Sequence, residues 1–511
     1  MKQKKMSLIN RLLLPIAPKT ACRREAWVQY SRSFYSAADT GPRSGGWTTQ
    51  NPNGELANQG SRDLIRGRSR DLERNSDILG AEILALERNV VGSGFVLQAK
   101  VIQGGEEDET LNTRIEQCWK KWCKPENCEI TGRFSFSEVL SLCLRRRFVD
   151  GGILILKVMD QGKFRIQLLE VDDLDAAIQT NDGHRVVGGI EIDQYRKPVA
   201  YWIKIYDVWG YSVKSQRIPA ERVIYLPNLT RPSQVREMSQ TAPSLGRIDD
   251  VNELIDAALE KERVLSHLSV VVEKDGGTMT GMAGLGRGFE PEYNSAPENQ
   301  GEPPQEILDQ GTVTYLKPGE KISTVAPAGT SSTVDPMIKT AQRLAGGGVG
   351  LSYEAVSRDM SQVNYSSARQ GLLEDQKTYR PLQRYMMEHL LDVIYPEWLE
   401  WAILSGQLEI PGYFRDPEAY QYHVWIASGW DWVDPVKEAN ANKTALASNQ
   451  KTLQEICAAK GNDWRDVLHQ RAKEMQMMRD LNLDAGLDSP DVAPPVENGK
   501  DDEESEDPEN Q

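Results

Sequence analysis

The strongest constraint on the fold is a series of strand-like runs between residue 94 and about residue 227. Six runs are rich in β-branched and aromatic residues, several with alternating polarity: GFVLQAKVI, GGILILKVM, FRIQLLEV, GGIEIDQY, PVAYWIKIY and RVIYLP. Asp160-Gln-Gly and Asn181-Asp-Gly have the composition of hairpin turns. Helical segments enter at about Leu111–Trp122 and Phe134–Arg147. The pattern predicts an α+β domain on an antiparallel or mixed sheet.

Helical periodicity precedes this block, in SRDLIRGRSRDLERNSDILGAEILALERNVVGSG. Apolar residues recur mostly at threes and fours between charges, which predicts two amphipathic helices closed by Gly92 and Gly94. We interpret the arginines of this segment as part of a solvent-exposed helix face with interspersed acidic residues, in preference to a nucleic-acid contact. The arginines are Arg62, Arg66, Arg68 and Arg70.

A long helix follows the strands. Apolar residues between Ile248 and Leu268 mark one face of a predicted helix of about 25 residues, roughly 35 to 40 Å at 1.5 Å per residue, and the opposite face is acidic. Residues 278–310 are dense in Gly, Pro, Glu and Asn and predict an extended excursion. The strand pair in TVTYLKPGEKISTV leads back to a short helix that opens at Asp335-Pro336.

That short helix runs into a glycine cluster, LAGGGVGLSYEAVSRDMSQVNYSSAR, residues 344–369. A phosphate-binding loop of the Walker type needs a preceding strand and a lysine, and this segment has neither. We therefore predict that a polar segment follows the glycines until Arg369. The glycines themselves are predicted to interrupt one helix as a hinge: Gly346, Gly347, Gly348 and Gly350. The NYSSAR sequence also has the composition of a helix cap.

The C-terminal third is predicted to be helical. RPLQRYMMEHLLDVIYPEWLEWAIL carries apolar residues on more than one stripe and must pack on two sides. Two or three helices follow, with Asp434 as N-cap and Pro435 at the first position. The acidic segment from Ser489 is predicted to be disordered.

Charge and cysteine content narrow the function classes. The net charge of the 511 residues is −15, whereas Met1 to Arg70 holds 13 Lys and Arg against four acids. Six cysteines make no disulfide framework, and the Cys118, Cys123, Cys128 spacing lacks a nearby histidine for zinc. The apolar run at the start is too short for a membrane span and has no clean cleavage site, so we expect a soluble, intracellular protein.

No arrangement typical of an enzyme emerges. Acid pairs such as Asp172-Asp173 have no partner that the sequence identifies. The histidines are scattered along the chain: His184, His267, His389, His423 and His469. We predict no catalytic activity, no cofactor and no metal.

Several segments together resemble the lambda-like portal proteins of tailed bacteriophages, over about residues 30–485. They occur in the family's order and spacing: LIRGRSRDLERNSDILGAEILALERNVVGSGF, GGIEIDQYRKPVAYWIKI, IPAERVIYLPNLTRPSQVRE, TYLKPGEKISTVAP, VGLSYEAVSRDMSQVNYSSARQG and WVDPVKEANA. The chain departs from the family at Ser233 and Glu237, where glycine is usual, which is expected to change a turn. It also has extra glycines after Ala345.

The resemblance implies a portal fold assembled as a ring, usually of twelve subunits, with an α/β wing, a helical stem, a small α/β clip, a tunnel loop and an α-helical crown. The implied division is a basic, largely disordered arm at 1–60, wing at 61–243, stem helix at 244–275, clip at 276–330, second stem helix at 331–345, tunnel loop at 346–366, wing helix and return at 367–433, crown at 434–488 and an acidic disordered tail at 489–511.

The resemblance also implies partners and a DNA-facing site. The ring would sit at the portal vertex of the virion, assembled in the host bacterial cytoplasm, and would meet double-stranded DNA, the terminase large subunit, capsid or scaffold protein and a head-completion adaptor, with no membrane. Channel-facing residues would come from the tunnel loop: Ser352, Tyr353, Arg358, Asp359, Asn364 and Arg369. A collar or adaptor ring and a nucleotide-dependent DNA-processing enzyme remain as alternatives.

Overall fold

The computed structural model describes most of the chain between residues 51 and 481. The described residues are 15, 17–20, 23–24, 51–103, 106–181, 183–267, 271–274, 320–323, 334–361, 364–430 and 435–481. They divide into two compact units, one of residues 1–60 with 231–234 and one of residues 61–230 with 235–511.

Helices account for most of the described residues. Their bounds are α1 Gly54–Gln59, α2 Arg62–Asn75, α3 Asp77–Leu86, α4 Glu109–Trp122, α5 Pro125–Cys128, α6 Phe136–Val149, α7 Leu245–His267, α8 Val334–Val349, α9 Tyr353–Ser357, α10 Tyr365–Met386, α11 Asp392–Leu404, α12 Pro417–Tyr420, α13 Pro435–Ala447, α14 Leu453–Ala459 and α15 Trp464–Asp480. A π-helical turn extends α3 over Glu87–Val91, and another joins α10 to α11 over Met387–Leu391.

The strands pair antiparallel throughout the described residues. Their bounds are β1 Val96–Ala99, β2 Ile102–Gln103, β3 Glu106–Glu107, β4 Leu154–Asp160, β5 Lys163–Leu169, β6 Thr180–Asn181, β7 His184–Val187, β8 Ile190–Ile192, β9 Pro198–Tyr206, β10 Ser212–Pro219, β11 Val223–Tyr225, β12 Val271–Lys274, β13 Glu320–Ser323 and β14 His423–Ile426. The sheet orders are β10-β9-β8-β7-β6, β11-β4-β5, β1-β14, β12-β13 and β2-β3. The mixed helix and sheet content of the prediction is confirmed.

The smaller unit contains an ordered part of the predicted arm. Asn53 caps α1 by accepting the N–H of Leu56 at 2.9 Å. The N–H of Gly54 donates to Ser233 Oγ at 2.7 Å, and a Cβ on Gly54 would lie 2.9 Å from the same oxygen. The prediction that residues 1–60 have little structure is wrong for 54–59, because the cap and the Ser233 hydroxyl satisfy the first amides of a short helix.

The larger unit folds around an aromatic core. Trp119 of α4 lies edge-on to Trp398 of α11, with ring centroids 4.9 Å apart, and also contacts Trp122, Tyr395 and Trp425. Edge-to-face pairs of this kind stabilise a core beyond the area they bury. The core thus joins α4, α11 and β14, which explains the two-sided apolar pattern predicted for the segment before Leu404.

A smaller core lies beside the five-stranded sheet. It includes Leu154, Ile190, Tyr201 and Val223 from four different strands. The predicted hairpin turns are present, with Gly162 and Gly183 at positive φ. Strands β10 and β14 were not predicted, because β10 is largely polar and exposed and β14 is four residues long.

The arginine face of α2 differs from its prediction. Arg62 and Arg66 are buried, whereas only Arg68 is fully exposed among the four. Arg66 pairs with Glu237 at 3.0 Å, and Arg70 pairs with buried Asp150 at 2.7 Å. The solvated-face interpretation is therefore wrong for three arginines, since acids distant in sequence lie opposite them.

The long helix is shorter than the predicted stem helix 244–275. Helix α7 ends at His267, and Val271–Lys274 forms strand β12, which pairs with Glu320–Ser323. The predicted extension of the helix to residue 275 is wrong, because the β-branched pair Val271-Val272 joins an antiparallel ladder. Helices α10 and α11 and the π-helical turn between them form one long run from Tyr365 to Leu404, which includes the helix predicted over 380–404.

Three C-terminal helices follow, the first beginning at Pro435 as predicted. The predicted cap Asp434, the whole segment 278–310, most of the signal-like start and the acidic tail lie outside the described residues. Among the helices of the described part, none is both long and apolar enough to cross a membrane.

Candidate functional site

The glycine cluster lies within a helix. Helix α8 continues through Gly346, Gly347 and Gly348 and ends at Val349. Gly350 alone adopts a left-handed backbone, with φ of +82°. The prediction that all four glycines interrupt the helix is therefore wrong for the first three. Their mobility as a hinge remains a prediction.

Close packing gives two of these helical glycines a structural reason. A Cβ on Gly346 would lie 2.9 Å from Val356 Cγ2 and 3.1 Å from the Leu351 carbonyl oxygen. A Cβ on Gly348 would lie 2.6 Å from the hydroxyl of Ser244, which donates to the Ala345 carbonyl at 3.3 Å. The absent side chains thus let α8 approach α9 and the residue preceding α7.

The exit from α8 is tied to α10. The Thr378 hydroxyl donates to the Gly350 carbonyl oxygen at 2.6 Å. A Cβ on Gly350 would meet that hydroxyl at 3.0 Å in addition to the strain of its positive φ. Glycine is therefore needed here both for the backbone turn and for the contact.

Ser352 performs a structural role in the short helix α9. Its Oγ accepts the N–H of Ala355 at 3.2 Å and donates to Asp375 Oδ2 at 2.6 Å. The Ser352 N–H donates to Asp375 Oδ1 at 2.7 Å. Burial raises the pKa of Asp375, although the Ser352 bonds act in the opposite direction. The pair fastens α9 to α10, so Ser352 is not a free side chain.

Tyr353 and Asp359 form a small polar cluster with α8. The Tyr353 hydroxyl donates to Asp359 Oδ2 at 3.2 Å, and the Arg343 guanidinium lies 5.1 Å from the Tyr353 ring centroid. Lys339 lies 4.0 Å from the same carboxylate oxygen. Hydrogen bonds from Ser361 lower the pKa of Asp359, followed by smaller contributions from Tyr353 and Lys339.

The other three predicted residues are exposed. Arg358 ends α9 with a left-handed backbone, and its N–H donates to the Glu354 carbonyl at 3.0 Å. Asn364 caps α10 by accepting the N–H of Ser367 at 2.8 Å, and Arg369 lies one turn further along that helix. The cap expected in NYSSAR is present, and its acceptor is the asparagine side chain.

Four contacts of the site were missed by sequence reasoning. Asp375 and Thr378 lie more than 20 residues from the groups they bind, and Arg343 and Lys339 belong to the preceding helix. The i, i+4 spacing of Lys339 and Arg343 placed both on one face of α8 and was the only local signal. Nothing in the sequence near Asp375 indicated its partner.

Acidic residues line the exposed face of α7. The exposed acids of this helix are Asp249, Asp250, Glu253, Asp256, Glu260 and Glu262. On another side, Leu254, Ile255 and Leu259 line an apolar cleft of about 480 Å³ together with Val334 and Ile338 of α8. The acidic face of the prediction is thus present in the structure.

Metal and thiol chemistry find no support in the residues that the structure describes. Among them, no group of three or more His, Cys, Asp or Glu side chains is placed to hold a metal ion. Burial raises the pKa of Cys118, Cys123 and Cys143. These thiols therefore stay protonated near neutral pH, which disfavours both metal ligation and nucleophilic attack.

Comparison with known proteins gives consistent matches. The family profile described as "Phage portal protein, lambda family" matches residues 40–383. A "Probable portal protein" of Halomonas phage phiHAP-1 is 28% identical over 483 residues, covering 91% of this chain and 90% of that protein. "Portal protein B" of Escherichia phage lambda is 20% identical over 462 residues, covering 82% and 85%.

Among solved structures, one similar chain comes from the neck of a native GTA particle computed with C12 symmetry. Its TM-score is 0.44 at 13% identity, with 77% of this chain and 93% of that chain covered.

Proposed function

The chain belongs to the lambda family of phage portal proteins, and from that premise we propose that it forms a homo-oligomeric ring of about twelve copies at the portal vertex. Double-stranded DNA would enter the procapsid through the ring during packaging and leave through it during ejection. The terminase large subunit would dock on the ring first, and head-completion and tail proteins would dock afterwards.

One observation carries the proposal: the family match extends from residue 40 to residue 383. It spans the sheet region, the long helix α7 and the segment with the glycine cluster. The relatives named as portal proteins align beyond it, over as much as 91% of the chain. A match of this extent covers the architecture and not one motif.

The division into portal domains can be laid on the described elements. The wing would be 61–243 with 367–433, the crown 434–488, and the stem helices α7 and α8. Strands β12 and β13 pair across the segment that we assign to the clip. Such a pair brings the two ends of a long excursion together, which supports a clip that begins at Val271 and not at 276.

The tunnel loop would comprise residues 346–366. The exposed Arg358 and Asn364, with Arg369 beyond the segment, would make weak contacts with passing phosphates, and Tyr353 and Asp359 would hold the segment against α8. The clamp between Ser352 and Asp375 fastens the start of the segment to α10, and movement about Gly350 would require this clamp to open. We propose that Gly350 serves as the pivot.

The negative net charge of the proposed ring favours DNA that slides through the channel over DNA that binds tightly to its wall. Twelve copies at −15 would carry roughly −180 charges, and the acids on α7 offer an exposed negative face. A lining of acids repels phosphates, so DNA would release few counterions on entry and would move without tight binding.

We propose that the chain has no catalytic activity and that the terminase supplies the energy. Purified protein should hydrolyse ATP no faster than buffer. Hydrolysis that survives repurification and scales with the protein concentration would contradict this part of the proposal.

Assembly of procapsids in the presence and absence of this chain tests the proposed function. Shells assembled with capsid, scaffold and this chain should protect DNA from nuclease after terminase and ATP are added, whereas shells without it should protect none. Equal protection in both preparations would contradict a portal role.

A further inference from the structure

An exposed apolar tip caps the hairpin of β9 and β10. Val208 is 94% exposed, Trp209 81%, Tyr211 74% and Val213 66%. Neighbouring Tyr206 is 44% exposed. A contiguous apolar group of this kind in water marks an interaction site, and Trp and Tyr are the residues most enriched where binding energy concentrates.

The tip is held in one conformation by Asp207. Its Oδ1 accepts the N–H groups of Trp209 at 2.9 Å and of Tyr211 at 2.8 Å. The Asp207 N–H donates to the Tyr211 carbonyl at 2.9 Å, and Gly210 supplies the positive φ that closes the turn. Docking a preformed turn costs little conformational entropy.

A cleft of about 1070 Å³ lies at the far end of the same hairpin. Its walls are the hairpin of β4 and β5, the end of β10 and the last two turns of α11. Met159 and Leu404 expose apolar surface at its rim, while Trp401 lies deeper and donates its Nε1–H to the Gly162 carbonyl at 2.8 Å.

The cleft suits an uncharged aromatic group. Its charged lining residues are three acids and three bases, which balance: Glu221, Glu397, Glu400, Lys157, Arg217 and Arg222. Lys157 pairs with Glu397, and Arg217 pairs with Glu191 at 2.9 Å. Asp207, the carboxylate of the hairpin tip, is engaged by the turn through its Oδ1.

One chain cannot fill its own cleft with its own tip. The cleft is lined by Gln216, Arg217, Ile218 and Pro219, whereas the tip precedes Ser212. The part of β10 from Ser212 to Gln216 separates them by about 13 Å at ~3.3 Å per residue. A tip and a cleft on opposite ends of one rigid hairpin make a head-to-tail contact, and contacts of that type generate rings when the rotation closes.

We propose that the Trp209 tip of each subunit docks in the cleft between β4, β5, β10 and α11 of the next subunit. The inference rests on the proposed ring and names two surfaces that hold it together.

Photo-crosslinking maps the contact directly. The full chain with p-benzoylphenylalanine in place of Trp209 should, on irradiation, form covalent dimers and larger ladders. Mass spectrometry should place the crosslink in residues 156–164 or 397–405. Crosslinks to any other segment, or to capsid protein in assembled shells, would overturn the docking while leaving the ring intact.

Substitutions test the energetics with a matched control. Trp209→Ser and, on the cleft, Leu404→Glu should each raise the protein concentration needed for half-maximal ring assembly by about tenfold or more. Tyr422→Ser, an exposed aromatic outside both surfaces, should change it less than about twofold. All three positions are exposed, so the thermal unfolding midpoints should match the wild type.

Mixing the two variants adds a test specific to a head-to-tail contact. Trp209→Ser retains an intact cleft and Leu404→Glu an intact tip, so the mixture should form more dimers than either alone. A mixture that behaves as the average of its components would overturn the docking. A wild-type chain that stays monomeric at every concentration would instead contradict the proposed ring.

Discussion

Glu237 is the centre of a buried charge network that joins α2 to the segment before α7. It is fully buried and accepts from Arg66 at 3.0 Å, from Arg236 at 2.7 Å and from the Tyr225 hydroxyl at 2.5 Å. Burial alone would raise the pKa of Glu237, but the charge and hydrogen bonds of Arg236, followed by the Tyr225 bond, lower it to about 2. Glu237 stays ionised because the buried guanidinium groups of Arg66 and Arg236 stabilise its negative charge.

Removing that charge should be strongly destabilising. We expect Glu237→Gln to lower the free energy of unfolding by about 3–5 kcal/mol, because it removes the buried negative charge that the Arg236 guanidinium contacts at 2.7 Å. Asp71→Asn, which breaks the exposed pair with Arg74, should cost less than about 0.5 kcal/mol. Urea unfolding at pH 7 measures both, and equal costs would show that the network contributes nothing special.

Glu82 of α3 is the opposite case, a buried carboxyl with neither oxygen hydrogen-bonded among the described residues. Burial raises its pKa to about 8 from 4.5. The folded chain therefore holds a proton that the unfolded chain releases between these values. The contribution of Glu82 to the free energy of unfolding is therefore full below pH 4.5 and is lost as the pH rises to 8.

Glu82→Gln should remove this pH dependence. The variant should gain stability relative to the wild type by about 1.4 kcal/mol per pH unit between pH 5 and pH 8, and the difference should level off above pH 8. Glu388→Gln, at an exposed position, serves as the matched control substitution. Urea unfolding at four pH values decides the matter, and a difference that is constant with pH would refute the buried-acid account.

At this scale the sequence predicted which arginines share a face but not their environment. The helical period places Arg62, Arg66 and Arg70 together on α2. Their partners Asp150 and Glu237 lie 80 or more residues away, so no local pattern could show that the face is buried. The one sequence feature that pointed to this environment was Glu237 itself, which stands where the family usually has glycine.

Glycines in α8 show how one element combines packing with weak helix propensity. Gly346 and Gly348 have neighbours where a Cβ would stand, whereas Gly347 has open space. The cluster was predicted to break the helix because composition alone favours that outcome. Contacts with α9 and Ser244 instead stabilise a helix that the sequence disfavours.

Two alanine substitutions in the cluster should have opposite effects. Gly346→Ala should destabilise by about 1–3 kcal/mol, since the Leu351 backbone oxygen cannot move aside. Gly347→Ala should stabilise by about 0.5–1 kcal/mol through helix propensity alone. Urea midpoints of the two variants give the comparison, and effects of the same sign would contradict the packing derived for α8.

The hinge proposal predicts a separate outcome for Gly347→Ala. If the end of α8 must bend as DNA passes, this variant should assemble normally and unfold later, yet protect less DNA from nuclease in the packaging reaction. Packaging equal to wild type would confine any bending to Gly350.

Among elements, alternation of apolar residues predicted the strands that bury one face. It missed β10, whose sequence SVKSQRIP is polar because the strand lies at the sheet edge and is largely exposed. It also missed β14, whose partner β1 lies over 300 residues earlier. The candidate site followed the same rule, since local caps were predicted and the Ser352–Asp375 clamp was not.

At the scale of the whole molecule, family membership identifies the chain as a portal protein, and the structure shows which surfaces one subunit exposes. A single subunit exposes an acidic helix, an apolar cleft beside it and an aromatic hairpin tip. The proposed ring would give each of these three surfaces a function. We propose the closed ring as the assembly in which all three surfaces are used.

Electron-microscope class averaging of the purified full-length protein tests that claim most directly. The account predicts closed rings of about twelve copies with a central hole wide enough for duplex DNA. A monomer or a closed dimer without a channel, under all solution conditions tried, would contradict it.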